Sequence, residues 1–234
     1  MRASDLRVAR SLPLFADMQQ AHFRSLMSAA LLQSIPPHVV LIREGELPDF
    51  LHVLVEGAVE LFASHADRET TIQVIVPPAT FIIAPIVLEE LPLKSAQTLV
   101  KSRVLMIPAD AVRRTFGRDA AFARAVVGEL ALRYRDLVRA IKAQKLRTGA
   151  ERLANWILQT DASKGSSGRV TLPFEKRLLA SLLGMTPANL SRSLAALASH
   201  GVVSEGRTIV IKNRKRLQRV AQEDPLIEAP RGIA

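Results

Sequence analysis

The sequence predicts an α+β chain: an N-terminal antiparallel β-roll, one long helix, and a C-terminal helix-turn-helix with a β-hairpin wing. Three observations predict it. Between residues 39 and 107, short apolar runs recur with turn residues between them, the pattern of a small antiparallel barrel or roll. From Asp119 to about Lys145 the apolar period becomes helical, over a length unusual for a globular domain. From Phe174 to Ile211, two short apolar helices flank a glycine and precede a β-branched hairpin. The expected domains are residues 1–116 for the roll and its leading helices, 117–146 for the long helix, and 147–234 for the helix-turn-helix.

The elements follow in order. Residues 5–34 read as helical, with Asp17 placed to cap a helix through Phe23, Leu26, Met27 and Ala30, and with Pro36-Pro37 ending it. Residues 39–42 and 50–55 read as strands on either side of the turn Arg43-Glu44-Gly45-Glu46. Gly57 breaks the chain before a strand at 58–62, and a strand at 70–76 stops at Pro77-Pro78. Residues 81–83, 96–100 and 104–107 complete the roll, and Pro108 suits the first turn of a short helix to Phe116.

Asp119 can cap the long helix. On it Leu130, Tyr134, Leu137 and Ile141 follow at spacings of four, three and four, with Val127 one turn earlier. This is the seam of a two-stranded coiled coil and predicts a homodimer. The same stripe also suits a helix packed on its own barrel. Residues 148–159 form another helix, 164–168 a flexible loop and 169–172 a short strand.

Charge separates the two ends. The net charge is +10, and sixteen Lys and Arg face only four acids between Arg139 and Arg219. A near-neutral roll thus carries a basic C-terminal third, which suits a polyanionic partner, double-stranded DNA above all. The chain has no cysteine, so it forms no disulfide and supplies no thiolate to an iron–sulfur cluster. That composition fits the cytoplasm. The charged N-terminus offers no apolar core of a signal peptide, and no run of about 18 apolar residues exists to span a membrane.

The stretch from Phe174 carries the chemistry. Leu178, Leu179, Leu182 and Leu183 give one face of a short helix, Gly184 permits a tight turn, and Met185 plugs it. Thr186 can cap a second helix with Pro187 at its first position. Leu190, Leu194 and Leu197 face inward, while Asn189, Ser191, Arg192 and Ser193 face out. The hairpin over 202–211 is the wing, with Arg207 near its tip. Such a second helix can enter a major groove with its N-terminal residues at the base edges.

Two segments resemble a known family. They are Ile42-Arg43-Glu44-Gly45-Glu46 followed by the run from Phe50 to Val59, and the motif Leu182-Leu183-Gly184-Met185-Thr186-Pro187-Ala188-Asn189-Leu190-Ser191-Arg192. In this order and spacing the chain resembles, over about residues 10–220, the cyclic-AMP receptor proteins and oxygen-responsive fumarate/nitrate-reduction regulators. The resemblance implies a cyclic-nucleotide-binding-like roll, a palindromic DNA site read by a dimer, and RNA polymerase as a partner. It implies that Arg192 donates to a guanine and Ser191 meets a neighbouring base. An Arg fork does match guanine O6 and N7. Lys176 and Arg177 would hold phosphates, which position the protein without reading sequence. The oxygen-responsive branch usually has Glu where this chain has Ala188. Ala cannot accept from cytosine N4, so the preference at that base pair should differ.

The cyclic-nucleotide branch also has a phosphate cassette, which maps onto Phe81, Ile83, Ala84, Lys94 and Ser95. Ile83 and Ala84 replace its Gly-Glu pair and Lys94 its Arg, removing a ribose anchor and a bidentate fork. These changes argue against cyclic AMP. The stretch from Leu146 to Leu158 resembles the nitric-oxide-responsive denitrification regulators of the family, which implies a nitrogen-oxide signal, with haem as the cofactor to consider; the alternative is a regulator of the same family that senses another small molecule or takes no ligand. None of His22, His38, His52, His65 and His200 falls in a ligand motif, and each reads as an ordinary histidine. A ligand-binding scaffold that meets a protein partner and no DNA, or a metal-dependent cupin-like enzyme, is the rival reading of the roll. No His-x-His, His-Glu-x-x-His, phosphate-loop or Gly-x-Ser-x-Gly motif supports such an enzyme.

Overall fold

The computed structural model describes residues 3–228. The chain divides into two compact units inside one long helix, at Arg133 and Tyr134.

The first unit opens with α1 (Ala3–Ser11), α2 (Pro13–Ala16) and α3 (Gln20–Ser28). Strands β1 (Leu31–Ile35), β2 (Val40–Ile42), β3 (Phe50–Glu56), β4 (Val59–His65), β5 (Arg68–Ile75) and β6 (Ala79–Phe81) follow, then α4 (Ala84–Leu88), β7 (Ser95–Thr98), β8 (Ser102–Pro108) and α5 (Ala109–Arg118). The strands form two antiparallel four-stranded sheets in the orders β1-β8-β3-β6 and β2-β7-β4-β5.

Strand alternation sorts the core into two layers. Leu54 and Val104 of the first sheet meet Val59, Leu61, Ile75 and Ala96 of the second, so this cluster fills the roll. Leu51, Val53, Leu105 and Ile107 point the other way, onto Phe15, Phe23, Leu26 and Phe122 of the helices. Gly57 makes the β3–β4 turn at φ +101, and a Cβ there would lie 2.7 Å from the Ser102 Cα. Only glycine fits both that angle and that approach.

The helix α6 (Ala120–Leu146) starts where expected. The Asp119 carboxylate accepts from Phe122 N at 2.9 Å and from Gln19 N at 3.0 Å, and pairs with His22 Nδ1 at 3.0 Å. No helix among the described residues is long and apolar enough to cross a membrane.

The second unit holds residues 134–146 of α6, then α7 (Gly149–Ser163), β9 (Arg169–Thr171), α8 (Lys176–Leu182), α9 (Pro187–Ala198), β10 (Val202–Glu205), β11 (Thr208–Ile211), α10 (Arg214–Ala221) and α11 (Pro225–Glu228). The sheet order is β10-β11-β9. Thr148 opens α7 with a capping box, its side chain bonding Glu151 N while the Glu151 carboxylate bonds Thr148 N. At the α6–α7 joint the Arg147 fork grips both Glu228 carboxylate oxygens, at 3.0 and 2.9 Å, and donates to the Gln222 carbonyl at 2.7 Å. Gln159 donates to the Glu228 carbonyl at 3.0 Å and Lys142 to the Leu226 carbonyl at 3.2 Å.

Several expectations change. Residues 31–34 are not helical: they pair with residues 103–106 of β8, a partner far along the chain that overrides local period. Asp17 closes α2, and Gln19 precedes α3, with Ala30 outside it. Ile82 and Ile83 lie beyond β6, Ile82 being turned to φ +56. Leu130 is half-buried on its own unit's core. Val127, Tyr134, Leu137 and Ile141 are 61%, 68%, 55% and 46% exposed, so the rest of the stripe is free. The helices α10 and α11 were not anticipated.

Candidate nucleic-acid interface

The helix-turn-helix is built on α8 and α9. Turn hydrogen bonds run from Leu183 N to Leu179 O, Gly184 N to Ser181 O and Met185 N to Ala180 O, at 3.0, 2.8 and 2.9 Å. Gly184 has φ +62, as the turn demands. Arg152 of α7 staples the turn from below, its Nε donating to the Leu183 carbonyl at 2.9 Å and its guanidinium to the Arg147 carbonyl at 2.6 Å. Sequence reasoning missed this residue, whose only local signal is a lone Arg on a helix face.

The helix α9 begins as expected. Thr186 Oγ1 accepts from Asn189 N at 3.2 Å, with Pro187 in the first turn. Leu190 and Leu197 are buried, and Ala188, Asn189, Ser191 and Arg192 are exposed. The Arg192 guanidinium donates to the Asn189 side-chain carbonyl. Its charge meets no carboxylate among the described residues. Ser193 and Leu194 are only half-buried. Ser193 therefore differs from its outward assignment, because its hydroxyl lies beside Gly149 at the start of α7.

The flanking cations spread around this ridge. Lys176, at the start of α8, donates to Ser204 Oγ of the wing at 2.8 Å. Arg177 pairs with Glu175 at 2.9 Å but remains 81% exposed. Arg207 lies exposed in the wing turn, where its carbonyl accepts from Leu172 N at 2.9 Å. A groove of about 370 Å³ beside α9 is lined by Gly149, Ala150, Arg152, Asn189 and Arg192 among others. The geometry thus offers one forked cation on an exposed ridge, framed by cations that suit phosphates.

The cassette residues of the roll are not gathered at one opening. Phe81 points into the space between the sheets, while Ile83 packs on the helical side. Ala84 starts α4, and Ser95 Oγ accepts from Glu44 N at 2.9 Å. Lys94 is half-buried, and burial first, then the charge of Arg133, lowers its pKa.

One histidine departs from an ordinary reading. His52 is 3% exposed and stacks on Phe81, centroids 5.5 Å apart. Neither ring nitrogen has a well-formed hydrogen bond. Burial pushes its pKa down to about 4, against a weaker upward pull from the backbone at Phe50.

Comparison with known proteins agrees with this architecture. Residues 32–119 match the cyclic nucleotide-binding domain, and residues 151–220 match the Crp-like helix-turn-helix domain. No curated protein matches the chain. Among solved structures, a candidate cAMP-binding regulatory protein from Silicibacter pomeroyi is 26% identical with a TM-score of 0.61, over 95% of this chain and 100% of that one. FixK2 from Bradyrhizobium japonicum is 23% identical with a TM-score of 0.74, over 83% and 98%. DNR from Pseudomonas aeruginosa is 22% identical with a TM-score of 0.52, over 94% and 99%. The last two likenesses are likenesses of fold. The two domain matches together span about two thirds of the chain, the cyclic nucleotide-binding domain before the helix-turn-helix. The chain belongs to the CRP/FNR family of DNA-binding transcription regulators.

Proposed function

We propose that the protein is a homodimer that reads a palindromic duplex through Arg192 of each copy, responds to nitrogen oxides, nitric oxide foremost, and meets RNA polymerase at denitrification-type promoters. The observation that carries the DNA reading is the unneutralised Arg192 on an exposed, capped helix, with Lys176, Arg177 and Arg207 around it. Family members bind DNA and act as dimers. The dimer reading rests on the apolar residues that α6 leaves in water. Single exposed apolar residues are common, but four on one helix at coiled-coil spacing are not. Leu137→Glu is expected to weaken the dimer at least about tenfold, about 1.4 kcal/mol, by burying a charge at the seam. Sedimentation at graded concentrations reads this, and an unchanged dimer would reject the seam.

The half-site has its own test. Ala188 is exposed beside Asn189, where a side chain can reach a base pair. Selection from random DNA should yield a palindrome with a relaxed or altered preference at one pair per half-site. Ala188→Glu should shift that pair towards one whose cytosine N4 donates to the new carboxylate. The same selected sites from both proteins would reject the assignment.

The nitrogen-oxide signal rests on the resemblance of residues 146–158. Haem, when bound, would supply an iron to which nitric oxide binds. His52, the buried imidazole stacked on Phe81, is packed at 3% exposure and offers such a group no opening. A cyclic nucleotide fits less well, since Ile83 lies in the helical-side core and Ala84 offers no carboxylate for a ribose.

A further inference from the structure

We infer that residues 222–228, locked onto Arg147, fix the distance between the two half-sites that the dimer accepts. Arg147 and Glu228 are thus positioning residues for half-site spacing and leave base preference to α9. The inference rests on the proposed reading of a palindrome by a dimer.

A preferred spacing needs a body of fixed shape between the place where two copies meet and the place where each reads DNA. One base pair inserted between half-sites moves the second by about 3.4 Å and turns it by about 35° around the duplex. A joint that yields by that much leaves each half-site readable and their separation unspecified. Here the seam residues Tyr134, Leu137 and Ile141 and the base-reading Arg192 belong to the same compact unit. Only Arg147 and Thr148 lie between α6 and α7. Two such residues are enough for a hinge.

Three sets of contacts close this one. First, the Gln144 side chain of α6 lies on the turn of the helix-turn-helix, where a Cβ on Gly184 would come 2.2 Å from its Nε2. Second, Arg152 joins the carbonyls of Leu183 and Arg147. Third, the 222–228 segment is bonded before, at and after the joint. Lys142 of α6 donates to the Leu226 carbonyl, and Arg147 to the Glu228 carboxylate and the Gln222 carbonyl. Gln159 of α7 donates to the Glu228 carbonyl, and Asn155 to the Ala221 carbonyl at 2.7 Å, just before the segment.

The chemistry of this lock gives direction more than stability. α11 adds no residue to the core, and Leu226 is 70% exposed, so polar contacts hold the segment. The Arg147 and Glu228 side chains are only 9% and 6% exposed. Enclosing an ion pair carries a desolvation penalty, and an apolar pair of similar size is often as stable. The pair differs from an apolar contact in its geometry: guanidinium and carboxylate meet as two parallel bonds in one plane, which admits one register. Glu228 is held in turn, its carboxylate accepting from Asp224 N at 2.7 Å.

The test measures spacing with the full chain. Fluorescence anisotropy gives the affinity for the selected palindrome, for versions with base pairs added or removed between the half-sites, and for a duplex carrying one half-site. The wild type should lose at least about tenfold for a change of one base pair, because geometry then forbids both copies from engaging together. Glu228→Ala should lose no more than about threefold for the same change. Glu228→Gln, which keeps an acceptor, should fall between them. Both should keep the wild-type base preference and the wild-type affinity for the single half-site. Removing one partner of an enclosed pair can unfold a protein. The double variant Arg147→Met, Glu228→Leu leaves no unpaired charge, and it should keep the far-ultraviolet dichroism spectrum and relax the spacing as Glu228→Ala does. A spacing profile as narrow as the wild type in these folded variants would overturn the inference and leave the DNA reading standing. An equal loss on every duplex, the single half-site included, would also overturn it, since the segment would then support only the fold. A wild type with no preferred spacing would end the dimeric reading, and the inference with it.

Discussion

Replacing Arg192 by Ala should remove sequence-specific DNA binding and leave the protein folded. A bidentate Arg–guanine pair is worth about 1–3 kcal/mol of discrimination. Two copies acting on one palindrome lose roughly twice that, which is about thirty-fold to twenty-thousand-fold in affinity for the selected site. Folding should barely change. The side chain is exposed, and its one hydrogen bond stays within its own helix turn, to Asn189. Affinity for a scrambled duplex should fall far less, because Lys176, Arg177 and Arg207 keep their charges for phosphates. Arg192→Lys should behave more like the Ala variant than like the wild type, since an ammonium cannot fork. Fluorescence anisotropy on selected and scrambled duplexes at fixed salt measures all three. Retained preference in Arg192→Ala would show that some other residue reads the site.

Acid should destabilise the roll through His52. The unfolded state takes up a proton on this imidazole near pH 6.5, whereas the folded state holds it neutral down to about pH 4. Above pH 6.5 the side chain is neutral in both states and adds no pH dependence. Between pH 6.5 and 4 the unfolded chain binds the extra proton, so stability falls as the pH drops. The loss is about 2 kcal/mol by pH 5 and about 3 kcal/mol at pH 4. His52→Phe removes the titrating group and should lose that part of the slope. At pH 7.5 it should be as stable as the wild type or more so, since an unsatisfied polar group has gone. Urea unfolding at pH 7.5 and 5 compares the two slopes. Equal slopes would mean that His52 is protonated or solvated in the folded protein.

Much of the fold was legible because its signals are local. Gly57 and Pro77-Pro78 punctuate strands, Asp119 and Thr186 cap helices, and Gly184 marks the turn of the reading head. What escaped depends on distant partners. Leu31 to Ile35 carry no mark of the β8 strand they meet about seventy residues later. The helix α10 offers only Leu217 and Ala221 as buried residues among many cations, too thin a stripe to stand out, although Asn213 does cap it. Ser193 sits on the expected helix, but Gly149 at the start of α7 draws it inward. His52 was readable in part. The unbroken run from Phe50 to Val55 signals a strand covered on both faces, so an ionisable residue inside it cannot reach water. His22 shows the contrast: it is one-third exposed and finds Asp119.

The Arg147 fork has a mechanical meaning. It fastens the end of the described chain, at Glu228, to the elbow where α6 gives way to α7. Both partners are nearly enclosed, so solvent and salt weaken the tether little. With Gln159 and Lys142 pinning the same segment, the elbow has no slack. Residues 134–146 and the helix-turn-helix are then joined as a crank and its tool, so a turn of the shaft is expected to carry Arg192 with it. Cutting the tether at Glu228 would leave the tool attached but let it wobble.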